Sequence, residues 1–556
     1  MAFQLSPGVN VSEIDLTTIV PSVATSIGAF AGKFAWGPVN EIITVSDEVR
    51  LVDTFGKPDA NNYEYWFSAA SFLAYSNNLK VVRAYGATTY TSTANGSPNV
   101  LIKNDDDWEA NWSGGANTYG EFAARYPGSL GNSLKVSVAD ANTYSTWTYA
   151  SNFNDEPGTS TYVSNAGGLL DEMHIIVIDE DGAISGTQGT VLEKYAFVSK
   201  AGDAKDDAGN TNYYKQVVAN KSKYIHWMSH ADDGTNWGNN ASGTTYANLS
   251  ANVTVSLAAG ADGTVSTANV VTAYDKFDNA ESVDINLIIS GPADATVAAD
   301  LITMAETRKD AVAFLSPEKA DVVDNAGSET TDVKEYRASL TSSSYAVIDS
   351  NWKYMYDKYN DVYRWVPCNG DVAGLAARTD RERDPWFSPA GPNRGIMRNT
   401  LKLAWNPTKT NRDDLYLKGI NPIVTFQGEG TQLFGDKTML SKPSAFDRIN
   451  VRRLFIILEK AIARAARFSL FEFNDQFTRA QFVNLVEPYL RDIQGRRGIT
   501  DFRVVCDESN NTGEVIDRNE FVGDIYIKPA RSINFIQLNF VAVRTGVSFN
   551  EVVGQF

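Results

Sequence analysis

Residues 283–317, VDINLIISGPADATVAADLITMAETRKDAVAFLSP, decide the fold of the central part of the chain. The two apolar runs VDINLIISG and AVAFLSP are typical of short buried strands, and the segment between them has the pattern and length of a helix. Strand, helix and strand within about 35 residues form a βαβ unit, whose two strands run parallel. The sequence therefore predicts an α/β core domain in this region.

A helix followed by a strand is also predicted near the beginning of the chain. NYEYWFSAASFLAY places Tyr65, Ala69, Phe72 and Leu73 on one helical face, and LKVVRAYG follows as a short buried strand. Residues 87–275 differ, because they are rich in Gly, Ser, Thr, Asn and Asp. Within them, HIIVIDEDGAISGTQGTVLEKYAFV is typical of a hairpin around Asp181-Gly182. We therefore expect a β-rich insertion between two parts of the core domain.

The last 110 or so residues predict two helices and three strands. Asn450 is a suitable N-cap for a helix that runs to about Arg467, and Asn474 can cap a second helix. Pro488 is expected to kink that second helix or to end it early. The segments DFRVVCDE, FVGDIYIKP and INFIQLNFVAV follow as strands, which indicates an α+β domain.

The predicted fold class is multidomain α/β plus α+β, and 556 residues suffice for several domains of ~100–150 residues. The expected parts are an N-terminal linker arm (1–22), a βαβ-containing core domain in two parts (23–86 and 276–430), a β-rich inserted outer domain (87–275), an α+β C-terminal domain with an antiparallel sheet (431–545) and a C-terminal linker arm (546–556).

Composition excludes several classes of protein. The net charge of −18 argues against a general nucleic-acid binder. Two cysteines, Cys368 and Cys506, are too few for a disulfide scaffold. The N-terminus lacks the basic region of a signal peptide, and no run of ~18 apolar residues occurs. We expect a soluble chain that is not exported, with no direct contact to membrane.

The motifs of catalysis are mostly missing. His226 and His230 have the spacing of two zinc ligands on one helical turn, but Trp227 stands where a zincin has Glu. GTQLFGDKT, residues 430–438, departs from a phosphate-binding loop at Asp436, and a hairpin turn is the alternative interpretation. No G-x-S-x-G elbow occurs. The sequence predicts neither an enzyme nor a cofactor or metal site.

Long segments of the chain resemble the contractile tail sheath proteins of T4-like bacteriophages. The resemblance lies in LSPGVNVSEID, GAFAGKFAWGPVNEIITVSDEVRLVDTFGKP and LKVVRAYG, then in AETRKDAVAFLSP and SSYAVIDSNWKYMYDKYNDVYRWVPCNGDVAGLAARTDRERDPWFSPAGPNRG. It returns in DRINVRRLF and in FRVVCDESNNTGEVIDRNEFVGDIYIKPARSINFIQLNFVA. The resemblance implies a subtilisin-like core domain without protease activity. Sheaths of this type carry a large protruding domain after the RAY strand, and the short spacing here implies that it is reduced or missing.

The resemblance also implies a function. Such subunits form stacked hexameric rings around a tail tube and contract from a metastable extended state, driving the tube through the host envelope. The implied partners are further copies of the chain, the tail tube protein, and baseplate and tail terminator proteins, without direct contact to DNA. The implied location is the virion, after assembly in the host cytoplasm. Two alternatives stay open: the sheath of a related contractile system, such as a bacteriocin or type VI-like device, and more remotely a hydrolase on a subtilisin-like core.

In the family, arms at both chain ends link neighbouring subunits by adding strands to a sheet of another subunit's C-terminal domain. The segments GVNVSEI, INFIQLNFVAV and VSFNEVV suit this role because they are short and β-prone. The linkage residues implied are Val9, Val11, Ile14, Ile536, Leu538, Phe540, Val547 and Phe549.

A basic stripe stands out in this acidic chain. On a helical wheel with ~100° per residue, Arg453, Lys460, Arg464 and Arg467 share one face of the predicted helix. One interpretation is a solvated face with salt bridges, for instance to Glu459. Nucleic-acid binding is a weaker interpretation, because the stripe lacks interleaved aromatics. The third is our hypothesis that the stripe meets acidic groups on the tube.

Overall fold

A computed structural model describes residues 23–534 and 537 of the chain. One compact unit ends at Phe468 and a second begins at Ser469. The strands within the described residues are β1 (Gly28–Gly32), β2 (Ile42–Val45), β3 (Leu79–Arg83), β4 (Phe122–Ala124), β5 (Leu134–Asp140), β6 (Glu172–Asp179), β7 (Thr190–Ser199), β8 (Ile225–Trp227), β9 (Val253–Ser256), β10 (Leu287–Ile289), β11 (Val312–Leu315), β12 (Ala346–Asp349), β13 (Trp352–Asp357), β14 (Val362–Pro367), β15 (Lys402–Leu403), β16 (Ile420–Asn421), β17 (Ile423–Phe426), β18 (Gly430–Leu433), β19 (Ile499–Val505) and β20 (Asp524–Pro529).

The helices of the same residues are α1 (Glu48–Phe55), α2 (Tyr63–Leu73), α3 (Asp105–Asn111), α4 (Thr161–Asn165), α5 (Tyr214–Lys221), α6 (Thr267–Tyr274), α7 (Ala295–Arg308), α8 (Lys319–Val322), α9 (Glu329–Ser339), α10 (Asn369–Glu382), α11 (Lys409–Leu417), α12 (Ile449–Ala466), α13 (Gln476–Gly495) and α14 (Gly513–Asp517). Single turns of 3-10 helix lie between them, including one at Arg467–Ser469 that directly follows α12.

The larger unit is built on a seven-stranded sheet with the order β16-β12-β11-β10-β1-β3-β2. All neighbours are parallel except β2, which pairs antiparallel with β3 at one edge. Successive strand residues alternate between the two faces, so Ile288 lies in the cluster that contains α7, whereas Leu287 lies in the cluster that contains α2 and α10. Both faces are therefore covered by helices, as parallel sheets require.

The predicted βαβ unit is confirmed as β10, α7 and β11, with Leu287 in register with Val312. The side chain of Asp294 caps the N-terminus of α7 by accepting hydrogen bonds from the backbone of Thr296 and Val297. Lys309 ends the helix in the left-handed conformation, at φ 62°. Mixed α/β architecture with several sheets is thus confirmed for the described residues.

The insertion between β3 and α6 has its own sheets and its own hydrophobic core. Four strands pair in the order β7-β6-β5-β9, and β4 pairs with β8. The predicted hairpin is confirmed as β6 and β7, although residues 180–189 form a longer loop than a two-residue turn. Gly182 adopts φ 80° there, where a Cβ would approach the backbone of Thr187 and Gln188. The insertion is therefore a folded, β-rich body.

The second unit contains α13, α14 and the antiparallel pair β19–β20. The N-cap of α13 is Asp475, whose carboxylate accepts from the backbone of Thr478, so the prediction of Asn474 was wrong by one residue. Pro488 does not end α13, which continues to Gly495. Most of the third predicted strand, INFIQLNFVAV, lies outside the described residues.

Candidate functional site

Helix α12 carries the predicted basic stripe and belongs to the larger unit. It begins at Ile449 after the cap residue Arg448, so Asn450 is a helical residue and not the predicted N-cap. Its apolar side is buried, and Ile456 joins the core cluster below the seven-stranded sheet. The helix is thus packed against the α/β core along its length.

Arg453 is buried and paired within the subunit. Its guanidinium lies 2.6 Å from the Asp380 carboxylate on α10, and both side chains are about 95% buried. It also donates to the carbonyl oxygens of Ala376 and Thr25. Burial raises the pKa of Asp380, and the charge of Arg453 opposes that rise. Arg453 therefore neutralises a carboxylate that the core encloses.

Lys460 and Arg464 share a second carboxylate. The ammonium group of Lys460 contacts Asp284 and lies 3.5 Å from Asp310, while Arg464 donates to Asp284 at 3.0 Å. Burial favours a higher pKa for Asp284, but hydrogen bonds and charges from the two cations outweigh it and lower the pKa. Asp310 also receives a bidentate contact from Arg308, with both distances 2.9 Å. These ion pairs bind the second half of α12 to the core.

The remaining cations of the helix differ from one another. Arg452 lies over the rings of Tyr345 and Phe446 at 4.2 and 3.9 Å from their centroids, and it donates to Ser344 at 2.8 Å. Arg467 is exposed and has no ion pair within residues 23–534.

The basic stripe is thus not one continuous exposed surface. Arg453 and Lys460 form ion pairs inside the subunit, Arg464 is partly exposed, and Arg467 is exposed without an ion pair among residues 23–534. The expected intramolecular salt bridges exist, but their partners are core carboxylates instead of Glu459. One sequence signal was missed: Asp284 and Asp310 stand just before β10 and β11, and the amino ends of parallel strands lie at one edge of a sheet.

The predicted linkage residues lie outside the described residues. These are Val9, Val11, Ile14, Ile536, Leu538, Phe540, Val547 and Phe549. What the structure does describe is a sheet of two strands, β19 and β20, in which each strand pairs only with the other among residues 23–534. Each therefore leaves one edge with unpaired backbone groups there.

The two zinc-ligand candidates do not form a helical pair. His226 lies in strand β8, where it stacks on Trp108 at 4.9 Å and 3.6 Å from Asp105. Burial lowers the pKa of His226 well below its ordinary value. His230 forms a 2.6 Å hydrogen bond with the Tyr214 hydroxyl, and burial lowers its pKa to about 4. No group of three ligating side chains occurs within the described part of the chain.

The other residues considered for catalysis or ligand binding make only structural contacts among the described residues. Residues 430–433 form β18, the second strand of a hairpin with β17, and Asp436 is a buried carboxylate 3.2 Å from Arg448. Cys368 and Cys506 are free and buried, and burial raises the pKa of both thiols. Within residues 23–534, no helix is long and apolar enough to span a membrane.

Comparisons with known proteins assign the family. Three family models match the chain: the tail sheath protein Gp18 domain III N-terminal region at residues 25–84, the phage tail sheath protein central domain at 263–439 and the phage tail sheath C-terminal domain at 441–542. The tail sheath protein of Enterobacteria phage T4 is 34% identical, over 99% of both chains. The chain belongs to the phage tail sheath proteins.

Two further comparisons extend this assignment. The tail sheath protein of Vibrio phage KVP40 is 33% identical to this sheath protein, over 99% of this chain and 100% of the relative. The crystal structure of the sheath tail protein from Desulfitobacterium hafniense shares the fold, with a TM-score of 0.52 and 14% identity over 90% of this chain and 94% of the other.

The sheath protein is therefore a structural subunit of a contractile phage tail and a component of the virion, and its relatives are structural proteins and not enzymes. Residues 85–262, which form nearly all of the insertion, are matched by none of the three family models. The alignment with the T4 protein extends over 675 positions, against 556 residues in this chain. Because the alignment is longer than this chain, part of the relative's sequence has no counterpart here. Which domain of the relative is reduced stays a prediction.

Proposed function

We propose that this sheath subunit polymerises as stacked hexameric rings around a tail tube and contracts from a metastable extended state. The observation that carries the proposal is the likeness to tail sheath proteins along 99% of the chain. Contraction exchanges one packing of rigid subunits for another, as in other bistable assemblies. The ion pairs of α12 with Asp380 and Asp284 suit this mechanism, because they keep the helix and the core in one body.

Subunits are linked by strand addition in this proposal. The segments with Val9, Val11 and Ile14, and with Val547 and Phe549, add strands to the sheet of a neighbour's C-terminal domain, to which Ile536, Leu538 and Phe540 contribute a strand. Among residues 23–534, β19 and β20 each leave one edge unpaired, which supports this proposal because an open edge is a template for an added strand.

Electron microscopy of the purified protein at rising concentration tests both statements. We expect striated tubes or stacked rings, and we expect that deletion of residues 1–15 abolishes them without lowering the midpoint of unfolding. Wild-type protein that stays monomeric even with purified tail tubes would contradict polymerisation. A deletion variant that assembles like the wild type would contradict linkage by the N-terminal arm.

The proposed partners are the tail tube, baseplate and tail terminator proteins, and host cytoplasm is the proposed place of assembly. Contact with the tube is now proposed for Arg464 and Arg467, the stripe residues with exposed surface. Arg467→Glu is expected to slow assembly on tubes, because charge complementarity controls association. Equal assembly rates for this variant and the wild type would contradict the tube contact.

We also infer that the core domain is subtilisin-like, which its largely parallel sheet with helices on both faces supports. Fold does not imply function, so this inference carries no protease activity. A related injection device is the second candidate, but the phage relatives at 33–34% identity favour a phage tail.

A further inference from the structure

The segment that enters α13 exposes several large apolar side chains. We call Leu470, Phe471, Phe473 and Phe477 the Phe loop, and they are 61%, 104%, 84% and 76% exposed. Phe471 also adopts φ 70°, a conformation that is rare for a bulky residue. Soluble proteins seldom expose such a patch unless another surface covers it.

The Phe loop is also acidic. Glu472 and Asp475 are exposed within it, and residues 469–478 contain no Lys or Arg. Asp475 accepts the capping hydrogen bond of α13, whereas Glu472 has no side-chain partner within residues 23–534. A partner surface should therefore combine apolar or aromatic groups with a positive charge.

The larger unit offers a surface of this kind on the sheet β14-β13-β15. We call Tyr354, Tyr356, Tyr363 and Trp365 the tyrosine face. Tyr354 lies opposite Trp365 and Tyr356 lies opposite Tyr363 in the β13–β14 register, with ring centroids 4.6 and 5.4 Å apart. Tyr356 and Tyr363 are about half exposed.

Lys402 gives the tyrosine face a positive charge. Its ammonium group lies 4.9 Å from the Tyr354 centroid and 5.4 Å from the Trp365 centroid, and it has no ion pair among residues 23–534. The nearby Asp361 accepts a hydrogen bond from Tyr356 at 2.6 Å. An aromatic surface with an unpaired cation complements an apolar loop with an unpaired carboxylate.

We propose that the Phe loop of one subunit packs on the tyrosine face of a neighbouring subunit in the assembled sheath, with Glu472 beside Lys402. A helical polymer repeats a heterologous contact, which joins two different surfaces of the same chain. The two surfaces described here satisfy that condition. The inference rests on the proposed function, because it requires that the subunits polymerise.

Cysteine cross-linking tests the contact. Phe473→Cys and Tyr363→Cys chains are prepared separately, mixed, assembled with purified tail tubes and oxidised. A disulfide-linked dimer is expected only in the mixture, because the contact is heterologous and the native cysteines are buried. Leu417→Cys, exposed to 79% and outside both surfaces, replaces Phe473→Cys in the control mixture and should give no dimer.

A charge exchange provides an independent test. Glu472→Lys and Lys402→Glu should each raise the concentration needed for half-maximal assembly about tenfold, and the double variant should restore it to within about threefold. Unchanged melting curves exclude unfolding as the cause. Restoration is specific to a Glu472–Lys402 contact, because two unrelated defects would add.

The outcomes separate the two proposals. Wild-type protein that fails to assemble even on tubes contradicts the proposed function. Assembled sheaths that give no dimer, dimers in either single preparation, or additive defects in the charge exchange contradict the Phe loop contact alone. A cross-link from Phe473→Cys to the tube protein would also contradict it, because the tube would then be the partner.

Discussion

Arg453 on α12 and Asp380 on α10 form an ion pair of 2.6 Å within the core of the sheath subunit. Both side chains are almost completely excluded from solvent, and the pair joins residues 73 positions apart. In such a site, either charge would cost several kcal/mol of folding free energy if it were buried without the other, roughly as in other buried pairs. The pair therefore favours the one placement of α12 on the core in which the two charges meet.

We expect Arg453→Met to destabilise the larger unit by about 3–5 kcal/mol, because it leaves the Asp380 carboxylate buried without a counter-charge. The measurement is the free energy of unfolding in urea, followed by circular dichroism. Arg467→Met is the matched control, since Arg467 is exposed on the same helical face, and it should change stability by less than about 0.5 kcal/mol.

The double variant Arg453→Met with Asp380→Leu distinguishes a charge effect from lost packing. It should be more stable than Arg453→Met alone, because removal of both charges also removes the uncompensated one. If the double variant instead lost as much free energy of unfolding as Arg453→Met and Asp380→Leu lose together, the ion pair would not be the cause of the destabilisation.

Asp284 should give the subunit an acid-dependent stability. Its pKa is lower in the folded chain than in the unfolded one, so its contribution is present above pH ~4 and disappears as the pH falls through the folded value. Asp284→Asn should cost about 1–2 kcal/mol near pH 7, and the difference from the wild type should shrink below pH ~4. Urea unfolding at several pH values measures this, and a difference that does not depend on pH would contradict it.

The local features of the fold could be predicted from the sequence, because they depend on the pattern of neighbouring residues. Apolar runs and an intervening helical pattern predicted the βαβ unit, and β-rich composition predicted the insertion. Local pattern failed where tertiary context decides. His226 has helical spacing to His230 but lies in a strand, and Pro488 is tolerated inside α13.

The candidate site was predicted only in part for the same reason. The cations of α12 and their common face follow from helix geometry, but their partners Asp284 and Asp380 lie more than 70 residues away in sequence. One sequence without tertiary information identifies a basic face and cannot identify which carboxylates meet it. The Phe loop was not predicted either, because an apolar run in the sequence does not show whether its side chains are buried or exposed.

Asp349, at the end of β12, should make stability fall toward alkaline pH. Burial raises its pKa to about 8, and its neighbours are the Ser316 hydroxyl, which donates at 2.6 Å, and the Asp371 carboxylate, itself paired with Lys353. The unfolded chain loses this proton near pH ~4, so the folded state binds more protons between pH ~4 and about 8, and stability falls over that window.

Asp349→Asn removes this titration. Relative to the wild type, the variant should gain stability as the pH rises from ~4 to 8, by at most about 1.4 kcal/mol per pH unit. Any hydrogen bond that the amide loses shifts the whole curve and leaves the slope unchanged. Urea unfolding midpoints across this range measure the slope, and parallel curves for the two proteins would contradict the buried proton.

Arg83 attaches the insertion to the core. It ends β3 and is buried, and it donates to the carbonyl oxygens of Phe34 and Gly37 in the core at 3.0 and 2.8 Å. A further 2.8 Å hydrogen bond reaches the carbonyl oxygen of Pro127 in the insertion. The same guanidinium thus connects the core and the insertion, beside the buried Trp36, which packs in the hydrophobic cluster of the insertion.

We expect Arg83→Met to loosen the insertion, because it leaves several buried carbonyl oxygens without a donor, at about 1–3 kcal/mol each when nothing replaces it. Limited proteolysis should then cut within residues 87–262 faster than in the wild type, while the sheet of the core keeps its protection from hydrogen exchange. Arg50→Met, at an exposed position on α1, is the control and should leave both measurements unchanged. Equal cleavage rates of Arg83→Met and the wild type would show that other contacts hold the insertion. Faster hydrogen exchange throughout the core sheet would show that Arg83 stabilises the whole unit and not specifically the attachment of the insertion.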